Sequence, residues 1–269
     1  MRETRDDPAG GVPSGLDPAE PSAARIYDYL LGGKDNYEVD RVAADRVLAV
    51  APDQRRLARD NRAFAVRAVR ALTATGLRQF IDLGTGIPTS PSVHEVAREA
   101  IPSARVVYVD HDPLVQVHNA ALLASDEKVA TVQADIRQPG VILSHPDVTA
   151  LIDFTEPVGV LCVAVLHLVP DSQNPAGIIA AYRDHLSAGS YLVLSQFASE
   201  SDPAAMAALH AVAAGTPVET YFRPREQIRG FFAGLDLLEP GLVMVQDWRQ
   251  NAIAAPTKLK IAGGVGRKP

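Results

Sequence analysis

Phe80-Ile-Asp-Leu-Gly-Thr-Gly86 joins an apolar run to a glycine turn, and that junction is where this sequence first suggests chemistry. Gly84 and Gly86 let a backbone bend tightly and approach a ligand closely, and a helix beginning just beyond presents free N–H groups. Ser92-Val-His-Glu95 has the form of a capping box and places that helix start. Val106-Val-Tyr-Val-Asp110 puts a carboxylate 24 residues after Gly86, where an acid can accept both hydroxyls of an adenosine ribose. Thr131-Val-Gln-Ala-Asp135 ends the next apolar run with another, placed to accept from an adenine amino group. Taken singly, each aspartate reads as a loop or helix cap. At the ends of three successive strands they line one ledge, the edge at which parallel sheets bind ligands. The dinucleotide fingerprint wants a third glycine at position 89, where Thr89 stands, so a nicotinamide or flavin reading loses ground.

These residues need a scaffold, and the pattern around them supplies one. From residue 79, short apolar runs (Gln79–Leu83, Arg105–Asp110, Val129–Ala134, Val158–Leu166, Ser190–Gln196) alternate with helical stretches (Ser92–Ala100, Pro113–Leu123, Pro175–Leu186). That alternation predicts an α/β fold, a doubly wound and mostly parallel sheet covered on both faces. Leu242–Trp248 and Lys258–Gly263 lack a long helix between them and predict an antiparallel closure. Upstream, residues 1–21 are rich in proline and glycine and predict a disordered arm. Ser22 caps a short helix through Leu31, Gly32-Gly33 stops it, Lys34-Asp-Asn-Tyr37 follows as a polar loop, and a second helix covers about Glu38 to Val50. Asp53 to Thr75 is the clearest helix, with Leu57, Phe64, Ala68 and Leu72 forming one apolar stripe. Its arginines at 55, 56, 59, 62, 67 and 70 predict a solvated face rather than a phosphate site.

Composition narrows the function classes. The chain has 269 residues, 47% hydrophobic and 22% charged, with a net charge of −6, a balance that disfavours nucleic acid as main partner. The single cysteine, Cys162, excludes a disulfide framework and reads as core. The longest apolar run, Val160–Leu166, is far short of the ~20 residues that cross a bilayer, and no signal peptide opens the chain. A cytoplasmic protein is expected. His94, His118, His145, His185 and His210 lack metal-ligand spacing, so no metal is expected, and no Gly-x-Ser-x-Gly elbow supports a hydrolase.

Asp82-x-Gly-x-Gly86, Asp110 and Asp135 resemble the cofactor site of class I S-adenosylmethionine-dependent methyltransferases. The likeness extends to Arg25–Tyr37, Asp82–Thr89, Val107–Pro113, Val165–Asp171 and Gly264–Pro269, which look like an actinobacterial methyltransferase family long catalogued only as a domain of unknown function. The resemblance implies a Rossmann-like, seven-stranded domain over 77–269, an N-terminal helical cap over 22–76, and S-adenosylmethionine as cofactor. It implies no substrate. Gly84, Thr85 and Gly86 would cradle the methionine part, with Asp82 toward its amino group. Asp110 would hold the ribose with His111 beside the adenine, and Asp135 and Ile136 would frame adenine from the other side. The class often has a third glycine at position 88, where this chain has Pro88, which suits a first helical turn but stiffens the loop.

Val165-Leu-His-Leu-Val-Pro-Asp171 resembles the segment in which small-molecule O-methyltransferases carry a proton-accepting histidine, making His167 the candidate base. The competing reading packs His167 under the cofactor with its ring N–H satisfied by backbone. Gly33, Lys34, Asn36 and Tyr37 are expected at a lid that closes over cofactor or acceptor, hinged at Gly32-Gly33. The expected activity is methyl transfer to an oxygen or nitrogen of a small molecule, by a monomer or homodimer. The alternatives are a protein that binds S-adenosylmethionine or a nucleoside without turnover and, further off, an NAD-dependent oxidoreductase.

Overall fold

The computed structural model describes residues 17–123, 126–250 and 255–269; most of the expected arm, residues 1–16, lies outside them. Strands β1 (Gln79–Leu83), β2 (Arg105–Asp110), β3 (Val129–Gln133), β4 (Gly159–Val163), β5 (Tyr191–Phe197), β6 (Asp236–Leu237), β7 (Val243–Met244) and β8 (Ile261–Arg267) form one sheet. Its order is β3-β2-β1-β4-β5-β8-β6. The first five strands run parallel, and β8 lies antiparallel between β5 and β6. Six of these seven match expected strands; β6 was not anticipated, and the strand expected at Leu242–Trp248 shrinks to Val243–Met244 before a 3-10 turn at Val245–Asp247. The two-residue β7, paired antiparallel to β8 beside it, brings the total to eight.

Helices α1 (Ala23–Leu31), α2 (Glu38–Val50), α3 (Gln54–Thr73), α4 (Val93–Ala100), α5 (Pro113–Leu123), α6 (Pro139–Leu143), α7 (Pro146–Leu151), α8 (Pro175–His185), α9 (Pro203–Ala213) and α10 (Arg225–Gly230) complete the order. Because side chains alternate along a strand, each buried run feeds two cores. Ile81, Val107, Val109, Val160 and Cys162 pack on one face with residues of α6, α7, α8 and α10. Phe80, Val106, Tyr108, Leu161 and Val193 pack on the other with α3 and α4. Among the described residues, no helix is long and apolar enough to cross a membrane.

The stripe of Leu57, Phe64, Ala68 and Leu72 on α3 is buried, as its spacing predicts. The arginines are not the solvated face expected. Arg55 donates to Tyr29 O at 2.8 Å, Arg56 to Pro256 O at 2.7 Å, Arg62 to Thr89 O at 2.8 Å and Arg67 to Trp248 O at 2.8 Å, while Arg70 pairs with Glu99. The flanks of α3 meet the end of α1 and several loops, and long guanidinium side chains reach the carbonyls there. Of the six, Arg59 and the ion-paired Arg70 are exposed, and the other four are half-buried.

Helices α1 and α2 meet through a buried ion pair. Arg25 Nε donates to Asp40 Oδ2 at 2.7 Å, with both side chains almost fully enclosed. Asp40 also accepts the N–H of Ser22 at 2.9 Å and of Tyr37 at 2.8 Å, so one carboxylate gathers the start of α1 and the start of α2.

Candidate functional site

Between this helical roof and the carboxyl ends of the strands lies a cavity of about 710 Å³. It brings together Asp82, Gly84, Thr85, Gly86, Asp110, His111, Asp135, Ile136 and His167. The turn after β1 is built for close approach. Gly84 has φ +65°, and a Cβ there would lie 2.4 Å from Val165 Cγ2, so the turn packs directly on the segment after β4. Gly86 has φ +66°, and a Cβ there would meet nothing within 4 Å, leaving its bare backbone open for a ligand.

Asp110 braces this turn from β2. Its Oδ2 accepts the Gly86 N–H at 2.8 Å and its Oδ1 the Asp112 N–H at 3.0 Å, leaving further lone pairs for a diol. Burial pushes its carboxyl up, and the two N–H groups oppose the rise. Asp82 is buried at the end of β1, accepts the Thr85 hydroxyl at 3.1 Å and has no ion-pair partner among the described residues. Burial drives its carboxyl up to about 6, with Arg62 and Thr85 opposing and Asp110 reinforcing. Buried carboxylates in folded proteins are normally paired with a cation. Asp135, two residues beyond β3, is chelated by Arg137, whose Nε donates to its Oδ2 at 2.8 Å. Burial alone would raise Asp135, but the Arg137 bonds hold it below the usual range. The His111 ring is largely exposed, its Nδ1 3.6 Å from Asp110 Oδ1.

The strand carrying His167 is shorter than expected. β4 ends at Val163 because Ala164 turns to φ +57° and gives its N–H to Ser195 Oγ at 2.9 Å. His167 therefore sits in a 3-10 turn, Leu166–Leu168, four residues past the strand. It is buried, and its ring centroid lies 4.6 Å from that of Phe197. Its Nδ1 has no hydrogen-bond partner, so the backbone-satisfied arrangement is not what is observed. Burial, reinforced by Arg223, drives its pKa down to about 3. The ring is neutral at any ordinary pH. Arg223, itself buried, fixes the turn by donating to Leu166 O at 2.9 Å and to Val169 O.

Gly33, Lys34, Asn36 and Tyr37 stand outside the cavity lining, contrary to the sequence expectation. Asp28 draws their loop away: its Oδ2 accepts the Asn36 side chain at 2.8 Å and the Asp35 N–H at 3.0 Å. Lys34 is exposed, and Tyr37 lies under the Arg25 guanidinium, 4.8 Å from ring centroid to Cζ. The roof is α1 itself, through Arg25, Ile26, Tyr27 and Leu30.

A further set was missed. Gln54, Ala58, Asn61, Arg62 and Ala65 face the cavity from α3. They form a second stripe beside the apolar one, small and polar residues at helical spacing, which is the signal that would have revealed it. Arg62 and Asp82 thereby face the cavity together, a guanidinium and a carboxylate on neighbouring walls.

The family model for S-adenosyl methyltransferases matches residues 10–269. A candidate methyltransferase from Thermobifida fusca YX is 41% identical, superposes with a TM-score of 0.89, and shares 95% of this chain and 97% of its own. A DUF574 family protein from Streptomyces avermitilis MA-4680 is 38% identical with a TM-score of 0.89, over 93% of this chain and 98% of its own. No curated protein matches the sequence.

Proposed function

The chain belongs to the S-adenosyl methyltransferase family, and we propose that it moves the methyl group of S-adenosylmethionine onto an oxygen or nitrogen of a small molecule. The observation that carries this reading is one cavity shared by the carboxylate ledge of β1–β3 and by His167 beyond β4. Membership in a methyltransferase family sets the NAD-dependent reading aside.

The residues fit the cofactor. Asp110 accepts the ribose hydroxyls, Gly84 to Gly86 accommodate the methionine part, and His111, Asp135 and Ile136 border the adenine. Asp82 receives the ammonium and Arg62 the carboxylate of the same amino-acid group, which uses both unlike charges on neighbouring walls. When bound, the cofactor supplies a methyl on cationic sulfur; the acceptor lone pair forms the new bond as the C–S pair returns to sulfur, and the acceptor gives up a proton. Such an in-line displacement needs chiefly proximity and orientation. A ring with a pKa of about 3 does not ionise a hydroxyl beforehand. His167 instead orients the acceptor and takes the proton once bond formation has made the attacking atom acidic.

Methyl-labelled S-adenosylmethionine, incubated with the protein and a small-molecule extract, tests the proposal. Label is expected in the low-mass fraction, with its acid and base stability distinguishing ether or ester from amine. Label confined to macromolecules, or none transferred, would contradict it.

A pH dependence follows from Asp82. The ammonium is held by the ionised carboxylate, so affinity for S-adenosylhomocysteine is lost as pH falls through 6. Between pH 7 and pH 5 the loss is about tenfold, because near pH 5 roughly nine-tenths of such a group is protonated. Calorimetric titration at both values checks this, and Asp82→Asn should bind more weakly and flatten the profile. Thermal stability of the free protein carries opposing contributions. Acidification relieves the cost of the buried Asp82 charge, whose folded pKa is raised, while the lowered His167 pKa costs stability below its unfolded value near 6.5.

A further inference from the structure

The strand order divides the cavity into unlike halves. β3, β2 and β1 carry the acids, whereas the part bounded by β4, β5, β8, α2 and α9 presents Val47, Phe197, Leu209, Val212, Val218 and Ile261. No lining residue contributed by α2, β5, α9, the 217–220 segment or β8 carries a charge. Thr220 there is satisfied by Val218 O at 3.1 Å, but two other polar side chains of the lining have no partner among the described residues. His167 and Gln54 are each more than nine-tenths buried, each lines the cavity, and neither side chain makes a hydrogen bond among the described residues. Buried polar groups are normally paired, and an unpaired one inside a cavity marks where a ligand supplies the partner. The neighbouring Asn61 shows the contrast: its side chain donates to the Tyr27 hydroxyl at 3.0 Å and accepts from Ser195 at 2.7 Å, so both its nitrogen and its oxygen have partners within the protein.

We propose that the methyl acceptor is an uncharged, largely apolar molecule, with a hydroxyl or amine held at His167 and a second polar group held at Gln54. This rests on the reading of the β1–β3 half as the cofactor site. A carboxylate, phosphate or ammonium on the acceptor would be stripped of water against apolar walls with no opposite charge to meet it, a cost that far exceeds that of a neutral hydroxyl. A neutral ring system is favoured by the same walls at roughly 25 cal/mol per Å² of apolar surface buried. The His167 ring, neutral and set against Phe197, suits an O–H or N–H donor that lies along an apolar surface.

Three probes that share one ring system and differ in charge test this: 2-naphthol, 2-naphthoate and 2-naphthylmethylammonium, titrated at pH 7 into protein saturated with S-adenosylhomocysteine. 2-Naphthol is expected to bind at least tenfold more tightly than either ion. His167→Phe and Gln54→Leu are each expected to weaken 2-naphthol severalfold while S-adenosylhomocysteine affinity and melting temperature hold. Equal or tighter binding of either ion, binding of none of the three, or insensitivity to both substitutions would overturn the proposal. If S-adenosylhomocysteine itself fails to bind, the cofactor reading falls instead, and the first titration shows which has failed.

Discussion

Asp40→Ala is expected to detach α1 and open the cofactor cavity. The substitution leaves the Arg25 guanidinium buried with no counter-charge and frees the N–H groups of Ser22 and Tyr37 together. Removing one member of a fully buried ion pair typically costs about 3–5 kcal/mol. Helix α1 packs in a cluster of its own, Leu30, Ala44 and Ala58 with Ile26, Tyr27, Tyr29, Leu31 and Leu48 against them, apart from the two large cores of the sheet. The loss therefore emerges as local opening rather than global unfolding. Hydrogen exchange over residues 22–40 should accelerate at least a hundredfold in the variant, while β1 to β5 stay protected. In the wild type, S-adenosylhomocysteine should slow exchange over the same residues, because Ser22 Oγ donates to Asp112 Oδ2 at 2.6 Å and ties α1 to the ledge proposed here for the cofactor. Exchange already slow without ligand and unchanged by it would show a permanently fixed roof.

Asp110→Ala is the second large effect. It removes the carboxylate assigned to the ribose and, in the same stroke, the acceptor that holds the Gly86 N–H. Hydrogen bonds to a charged group contribute about 1.5–3 kcal/mol, which corresponds to a roughly 10- to 150-fold loss of S-adenosylhomocysteine affinity. Asp110→Asn keeps one oxygen but turns an NH2 toward either Gly86 N or Asp112 N, so it should not rescue binding. Calorimetry on both variants decides this. Wild-type affinity in either would remove Asp110 from the cofactor site.

The carboxylate ledge was legible because its parts are local. A strand ending in an acid recurs at β1 and β2, with a glycine turn after β1, and parallel pairing brings those ends to one edge without further information. Ser92 and Glu95 likewise meet as their three-residue spacing dictates, with the Ser92 N–H donated to Glu95 at 2.6 Å. What escaped was decided by contacts distant in sequence. Arg67 reads as a solvated charge until the carbonyls of Val245 and Trp248, far along the chain, arrive beside it. Arg25 and Asp40 sit on different helices, and nothing in their spacing announces a buried pair. The Lys34–Tyr37 loop looks ligand-directed from its composition, yet the carboxylate of Asp28 captures it first. At the early end of β4, the Ala164 N–H goes to Ser195 of the neighbouring strand, to its hydroxyl at 2.9 Å and its carbonyl at 3.3 Å.

A crystal structure of the complex with S-adenosylhomocysteine tests the central claim most directly. The ribose hydroxyls are predicted within hydrogen-bond distance of Asp110, the amino-acid group between Asp82 and Arg62, and the sulfur turned toward His167 and the apolar half of the cavity. A ligand bound elsewhere, or bound here with its sulfur facing away from His167, would contradict the account.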